Sequence, residues 1–149
     1  RTFSKAYSLA GMRVGWGLFP TNIAQELRKV MNPNNISAVG QAAATAALAD
    51  QAYMIETCKQ TTNLRDGLRK RLVNAGLNVP NSFTNFLLLP MGSPDKAHRV
   101  NEALRARGVF LRPQGVVGLN DCLRATIGVA DYLDIAAELL ENWAKEGLL

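Results

Sequence analysis

Arg1-Thr2-Phe3-Ser4-Lys5-Ala6-Tyr7-Ser8-Leu9-Ala10-Gly11-Met12-Arg13-Val14-Gly15-Trp16 is the stretch whose reading decides the fold. Lys5 follows Ser4 directly, and Arg13 comes eight residues after the lysine, with small residues between them. That combination suits an anionic cofactor. Ser4 offers a hydroxyl donor, and the planar fork of Arg13 matches phosphate oxygens two at a time. Gly11 and Gly15 permit close backbone approach or a positive φ. A lysine that loses its proton through desolvation or a neighbouring cation becomes a nucleophile able to form a Schiff base with an aldehyde, which makes Lys5 the reactive amine. Taken singly, each of these residues more often marks a solvated turn, by roughly ten to one.

The ordered string is more specific than its parts. Ser-Lys-Ala-x-x-Leu-Ala-Gly-x-Arg-x-Gly-Trp, from Ser4 to Trp16, resembles the pyridoxal-phosphate lysine segment of the fold-type-I (class I/II) aminotransferases. Within them it is most similar to the histidinol-phosphate aminotransferases. The resemblance implies that Lys5 carries pyridoxal 5'-phosphate as a Schiff base, while Ser4 and Arg13 hold the cofactor phosphate.

Working outward, the 149 residues are 48% hydrophobic and 19% charged, an ordinary globular composition with enough length for a real core. Seventeen basic against twelve acidic residues give a net charge of +5, which raises the question of nucleic acid. The basic residues are spread along helical segments without interleaved aromatics. The densest run, Arg65 to Arg71, reads as a solvated helix face, so no nucleic-acid partner is expected. Cys58, Cys122 and the single His98 have no metal-ligand spacing, and no metal is expected. A reduced, cytoplasmic setting fits. No apolar run approaches the roughly 20 residues a membrane span needs, so no membrane partner is expected. Beginning at Arg1 inside an active-site element, the chain reads as part of a longer protein.

Taken in order, Met12 to Phe19 is strand-like, broken by glycines and closed by Pro20. Thr21 then caps a helix through Val30, with Ile23, Ala24, Leu27 and Val30 at helical spacing. Asn32-Pro33-Asn34-Asn35 stops it. From Ser37 a small-residue helical stripe follows, and Asp50 caps a long helix that Gly76 terminates. Phe83 to Pro90 reads as a strand. Ser93-Pro94-Asp95 starts a helix with a cap, a first-turn proline and an acidic first turn, and Gly108 ends it. His98 lies on that helix among charged neighbours and is expected to be exposed. Val109 to Pro113 and Cys122 to Gly128 read as two further strands, and Asp131 to Lys145 as a final helix. The order strand, helix, strand, strand, helix predicts a small α/β sheet with helices on one side. The resemblance places this within a C-terminal fragment of the pyridoxal-phosphate-dependent transferase fold. It implies the end of a large cofactor domain over 1–49, a linking helix over 50–76 and a small α/β domain over 77–149.

Arg112 and Arg124 fall in the last two strands, each among apolar residues. An arginine so placed needs an anion, either an internal carboxylate or a ligand. Leu-Arg-x-Thr-Ile-Gly at 123–128 resembles the family's carboxylate-binding motif, and Phe-Leu-Arg-Pro at 110–113 resembles its preceding strand. The resemblance therefore implies that Arg124 binds the anionic group of the substrate and that Arg112 helps hold a substrate phosphate. It further implies small anionic amine substrates with 2-oxoglutarate, a role in histidine biosynthesis, and a homodimer. Catalysis is expected to need the ring-binding residues upstream of this segment. Aromatic amino-acid aminotransferases and threonine-phosphate decarboxylases share the lysine segment. A non-catalytic aminotransferase-like effector domain is the alternative from another class.

Overall fold

The computed structural model describes residues 1–148. It divides into two units, Arg1–Lys59 and Gln60–Leu149, and the division falls inside the longest helix.

The first unit begins as a loop. A short 3-10 turn, Ala10–Met12, is followed by Arg13 in the left-handed conformation at φ 54°. That residue turns the chain, so the strand expected over Met12 to Phe19 does not form. Only an isolated antiparallel bridge between Thr2 and Gly15 remains of it. Helix α1, Thr21–Val30, starts after Pro20 without a side-chain cap, and Thr21 is its first residue instead of its cap. None of its residues is buried, and Ile23 and Val30 are exposed. Helix α2, Ala38–Ala49, is capped by the Ser37 hydroxyl, which accepts from the Gly40 amide at 3.0 Å. The small core of this unit is Phe3, Val14 and Ala44, with Tyr7, Leu9, Ile36 and Ala47 packed against it.

Helix α3, Gln51–Asn74, opens where Asp50 Oδ1 accepts from the Tyr53 amide at 3.0 Å. It closes at Gly76, whose φ of +95° lets the Leu77 amide reach back to the Leu72 carbonyl and the Gly76 amide to Val73, both at 3.0 Å. The same pair of bonds, around Gly108, ends helix α4, Pro94–Arg105, which Ser93 caps at its start.

In the second unit the strands are β1, Phe86–Pro90, β2, Arg112–Pro113, and β3, Cys122–Thr126. They form one antiparallel sheet in the order β1-β3-β2, so the α/β sheet is formed with β3 at its centre. β2 is far shorter than the expected Val109 to Pro113, because only Arg112 and Pro113 pair with β3. Leu87, Leu89, Leu123 and Ala125 share one face and enter the core, joined by Leu72, Leu104, Ala137 and Leu140 from the helices. Helix α5, Ala130–Lys145, packs Leu133, Leu139 and Trp143 around that centre.

The arginines of α3 depart from the solvated face expected for them. Arg65 is buried, donating to Asp66 at 2.9 Å and to the Thr84 carbonyl at 3.2 Å. Arg69 Nε donates to the Val79 and Pro80 carbonyls. Arg71 forms a two-pronged pair with Glu141 at 2.8 and 3.0 Å and reaches Asp134 at 2.7 Å. They tie α3 to the segment before β1 and to α5, because their long stems let a sequence-local charge run find distant oxygens. His98 is exposed, as expected. Among the described residues no helix is long and apolar enough to cross a membrane, and no cluster of metal-ligating side chains occurs.

Candidate active site

Ser4, Lys5 and Arg13 lie together in the first unit, on one loop held by its own backbone. The Phe3 amide donates to the Val14 carbonyl at 3.1 Å, the Leu9 amide to Phe3 at 3.0 Å, and the Ser8 amide to Lys5 at 2.9 Å. Lys5 thus sits exposed at the head of a closed four-residue turn, while Phe3, two residues earlier, is buried. The Phe3 and Tyr7 rings stack at 4.9 Å between centroids.

Two residues here hold a conformation that L side chains rarely adopt, Ser8 at φ 57° and Arg13 at φ 54°. The glycines divide the expectation made of them. Gly15 is needed for close approach, since a Cβ there would meet the Arg1 carbonyl oxygen at 2.8 Å, but Gly11 has open space around it and no positive φ. Backbone strain therefore falls on Ser8 and Arg13, the kind of placement that clusters at functional sites.

The donor set fits an anionic group. The Ser4 hydroxyl accepts from Thr2 Oγ1 at 2.9 Å, which leaves its own hydrogen to give. Arg13 spends Nη1 on the Ala10 carbonyl at 2.7 Å, and no other hydrogen bond engages its fork among the described residues. The sequence holds no carboxylate before Glu26, and neither Lys5 nor Arg13 makes an ion pair among the described residues. Two cations and a hydroxyl on one loop without a counter-charge match a phosphate bearing a reactive aldehyde.

Arg112 and Arg124 lie in the second unit and stand directly opposite each other across β2 and β3. They occupy the face of the sheet away from the core, which is why Arg112 is exposed and Arg124 only partly buried. The apolar surroundings expected from sequence belong to the other face. Like charges at paired positions repel, and neither arginine forms an ion pair among the described residues. Arg124 lies over the Phe86 ring at 5.2 Å, and its Nε is buried without a hydrogen-bond partner. An internal carboxylate is therefore not what these arginines answer to. An unpartnered guanidinium edge beside a second cation, backed by an aromatic face, is arranged to take an external anion.

Sequence reading did not single out Thr2, Ser8, Tyr53 or Phe86. Thr2 was within reach, because a hydroxyl two residues before Ser4 accepts the Ser4 amide at 3.1 Å. Tyr53, whose hydroxyl lies 2.9 Å from the Ser8 hydroxyl across 45 residues of chain, leaves no local signal. Phe86 is set beside Arg124 only by the strand register.

Comparison with known proteins places this geometry in context. Residues 1–140 match the model of the family "Aminotransferase class I and II". A histidinol-phosphate aminotransferase of Rhodospirillum centenum is 36% identical over 146 residues, covering 97% of this chain and 40% of the relative. That of Paramagnetospirillum magneticum is 38% identical over 146 residues, with 96% and 40% covered. Among solved structures, histidinol-phosphate aminotransferase from Sinorhizobium meliloti in complex with pyridoxal-5'-phosphate superposes with a TM-score of 0.87 at 36% identity, over 98% of this chain and 40% of that one. The chain spans about 40% of the length of the curated relatives it matches. With the family model running through the lysine loop and on into α5, the chain belongs to the class I and II aminotransferases.

Proposed function

We propose that this chain supplies the lysine-bearing part of a pyridoxal-phosphate-dependent aminotransferase that exchanges the amino group of histidinol phosphate with 2-oxoglutarate in histidine biosynthesis. The activity belongs to the full-length gene product, a cytoplasmic homodimer in this reading. Residues 1–49 are then the end of its large domain, 50–76 its linking helix and 77–149 its small domain. The observation that carries the proposal is the loop holding Ser4, Lys5 and Arg13 without a carboxylate. The names of the relatives support the choice of substrate.

When bound, pyridoxal phosphate supplies an electron sink for the bond broken at the amine-bearing carbon. The chain's own residues bind and move protons. Lys5 Nζ is the covalent anchor and, once released, the base that would take the proton from that carbon and deliver it to the carbon of the cofactor that bore the aldehyde. The Ser4 hydroxyl and the free part of the Arg13 fork hold the cofactor phosphate. Arg124 takes the anionic group of the substrate, and Arg112 adds its charge where that group is a phosphate. Both partners of the exchange are anionic, so one arginine pair serves both.

The test is borohydride reduction of the full-length gene product with pyridoxal phosphate, followed by peptide mapping. The reduced adduct is expected on Lys5 and to vanish in Lys5→Ala. An adduct on another lysine, with Lys5 unmodified, overturns the assignment. A panel of amines read in the same preparation separates substrates: fastest amino transfer from histidinol phosphate supports the proposal, and fastest transfer from an aromatic amino acid, or release of carbon dioxide, overturns it.

A further inference from the structure

We propose that Tyr53 is a positioning residue for Lys5, acting through Ser8. This rests on the reading of Lys5 as the cofactor lysine. Ser8 closes the turn that Lys5 begins, through its amide bond to the Lys5 carbonyl at 2.9 Å, and it does so at φ 57°. A serine has no intrinsic preference for that backbone, so something must hold it there. The next amide, Leu9, donates back to Phe3, which fixes the far side of the loop without constraining the Ser8 side chain.

The Ser8 hydroxyl lies 2.9 Å from the Tyr53 hydroxyl, a side-chain hydrogen bond that joins this turn to a helix. Tyr53 is itself well placed to act as a post. It sits in the first turn of α3, where Asp50 Oδ1 accepts its amide at 3.0 Å, and a capped helix start is a rigid place to mount a ring. Either hydroxyl can donate, so the bond holds the Ser8 oxygen beside the Tyr53 oxygen whichever of the two gives the proton. An exposed hydrogen bond of this kind adds little to global stability, yet a reacting group is sensitive to small displacements of the turn that bears it. Its effect therefore belongs in the reaction of Lys5 and not in the melting of the fold.

The experiment compares the full-length gene product with Tyr53→Phe, Ser8→Gly and the double variant. Phenylalanine removes only the hydroxyl, and glycine removes the hydroxyl while accepting the left-handed backbone. The readouts are the rate at which pyridoxal phosphate becomes borohydride-trappable on Lys5 as a function of pH, and hydrogen exchange of the Ser8 amide without cofactor. Each single variant is expected to slow trapping about three- to tenfold, the scale of one neutral hydrogen bond. Each is also expected to shift the pH midpoint of trapping and to speed Ser8 exchange, with thermal midpoints unchanged. The double variant should be no slower than the worse single, because both remove the same bond. A parent that loads Lys5 normally alongside a Tyr53→Phe variant with the same rate and pH profile overturns the role of Tyr53 alone. Fully additive losses do the same. A parent with no adduct on Lys5 overturns the reading of the lysine and this proposal with it.

Discussion

At Gly40 an added Cβ would stand 3.0 Å from the Met12 carbonyl oxygen and 3.1 Å from both the Ser37 hydroxyl and Val14 Cγ2. The loop that carries Lys5 and Arg13 rests there against α2, and a branched side chain would have to push backbone aside. Gly40→Val is expected to destabilise the fold by about 1–3 kcal/mol, the usual cost of overpacking, checked by urea denaturation. At the scale of single residues the sequence was uneven as a guide. Ser4, Lys5 and Arg13 could be picked out as a candidate set because they lie close together in sequence, and the structure sets them on one loop. Of the small-residue stripe of α2, the structure buries Gly40 and Ala44 and leaves Val39 exposed. Strain at Ser8 and Arg13 was hidden, because glycines nearby drew the expectation of unusual backbone to themselves.

Helix ends were the most readable elements, and their reasons are local. Asp50, Ser93, Gly76 and Gly108 each act within a few residues, as donor, acceptor or conformational permit, so the sequence contains everything the terminus needs. Tertiary ties between elements were not readable, and Arg71 shows why. Its partners Glu141 and Asp134 lie some 60 to 70 residues away, and nothing near Arg71 in the chain names them. The Arg71 hydrogen bond holds the Glu141 carboxyl below its usual range, against a smaller opposing effect of burial. A carboxylate depressed in the folded state adds stability above its unfolded value of about 4.3 and loses it as pH falls through the lower folded value. Glu141→Gln is therefore expected to be less stable than the parent at pH 7, with the gap closing as the pH drops below about 4. Urea midpoints at neutral and acid pH check this, and a gap that widens in acid would contradict it.

Across the whole molecule the two units are unequally endowed. The second buries a continuous cluster that includes Leu72, Leu87, Leu89, Leu104, Leu123 and Leu140, while the first buries Phe3, Val14 and Ala44. Opening free energies follow buried apolar contact, so hydrogen exchange is expected to find the slowest amides in β1, β3, α4 and α5, and fast exchange throughout α1, which buries nothing. Slow exchange in α1 would contradict this. The α/β sheet and its helices were foreseeable from the order of apolar runs between strong stops. The extent of β2 was not, because pairing with β3 decides it and Val109 and Leu111 pack on the core without joining the ladder. The opposition of Arg112 and Arg124 has the same origin: register is a property of two strands together, and neither strand encodes it alone.

Both outer strands of that sheet end in proline, Pro90 on β1 and Pro113 on β2. On β1 the Phe86 carbonyl is already claimed by the hydroxyls of Ser82, at 2.6 Å, and Thr84, at 3.2 Å. A row of free amides and carbonyls is what lets a stray chain add itself to a sheet, and these features shorten the row on each side. The same residues that limit the size of the sheet thus guard a newly made chain, with its leucine-rich β1, against edge-to-edge aggregation.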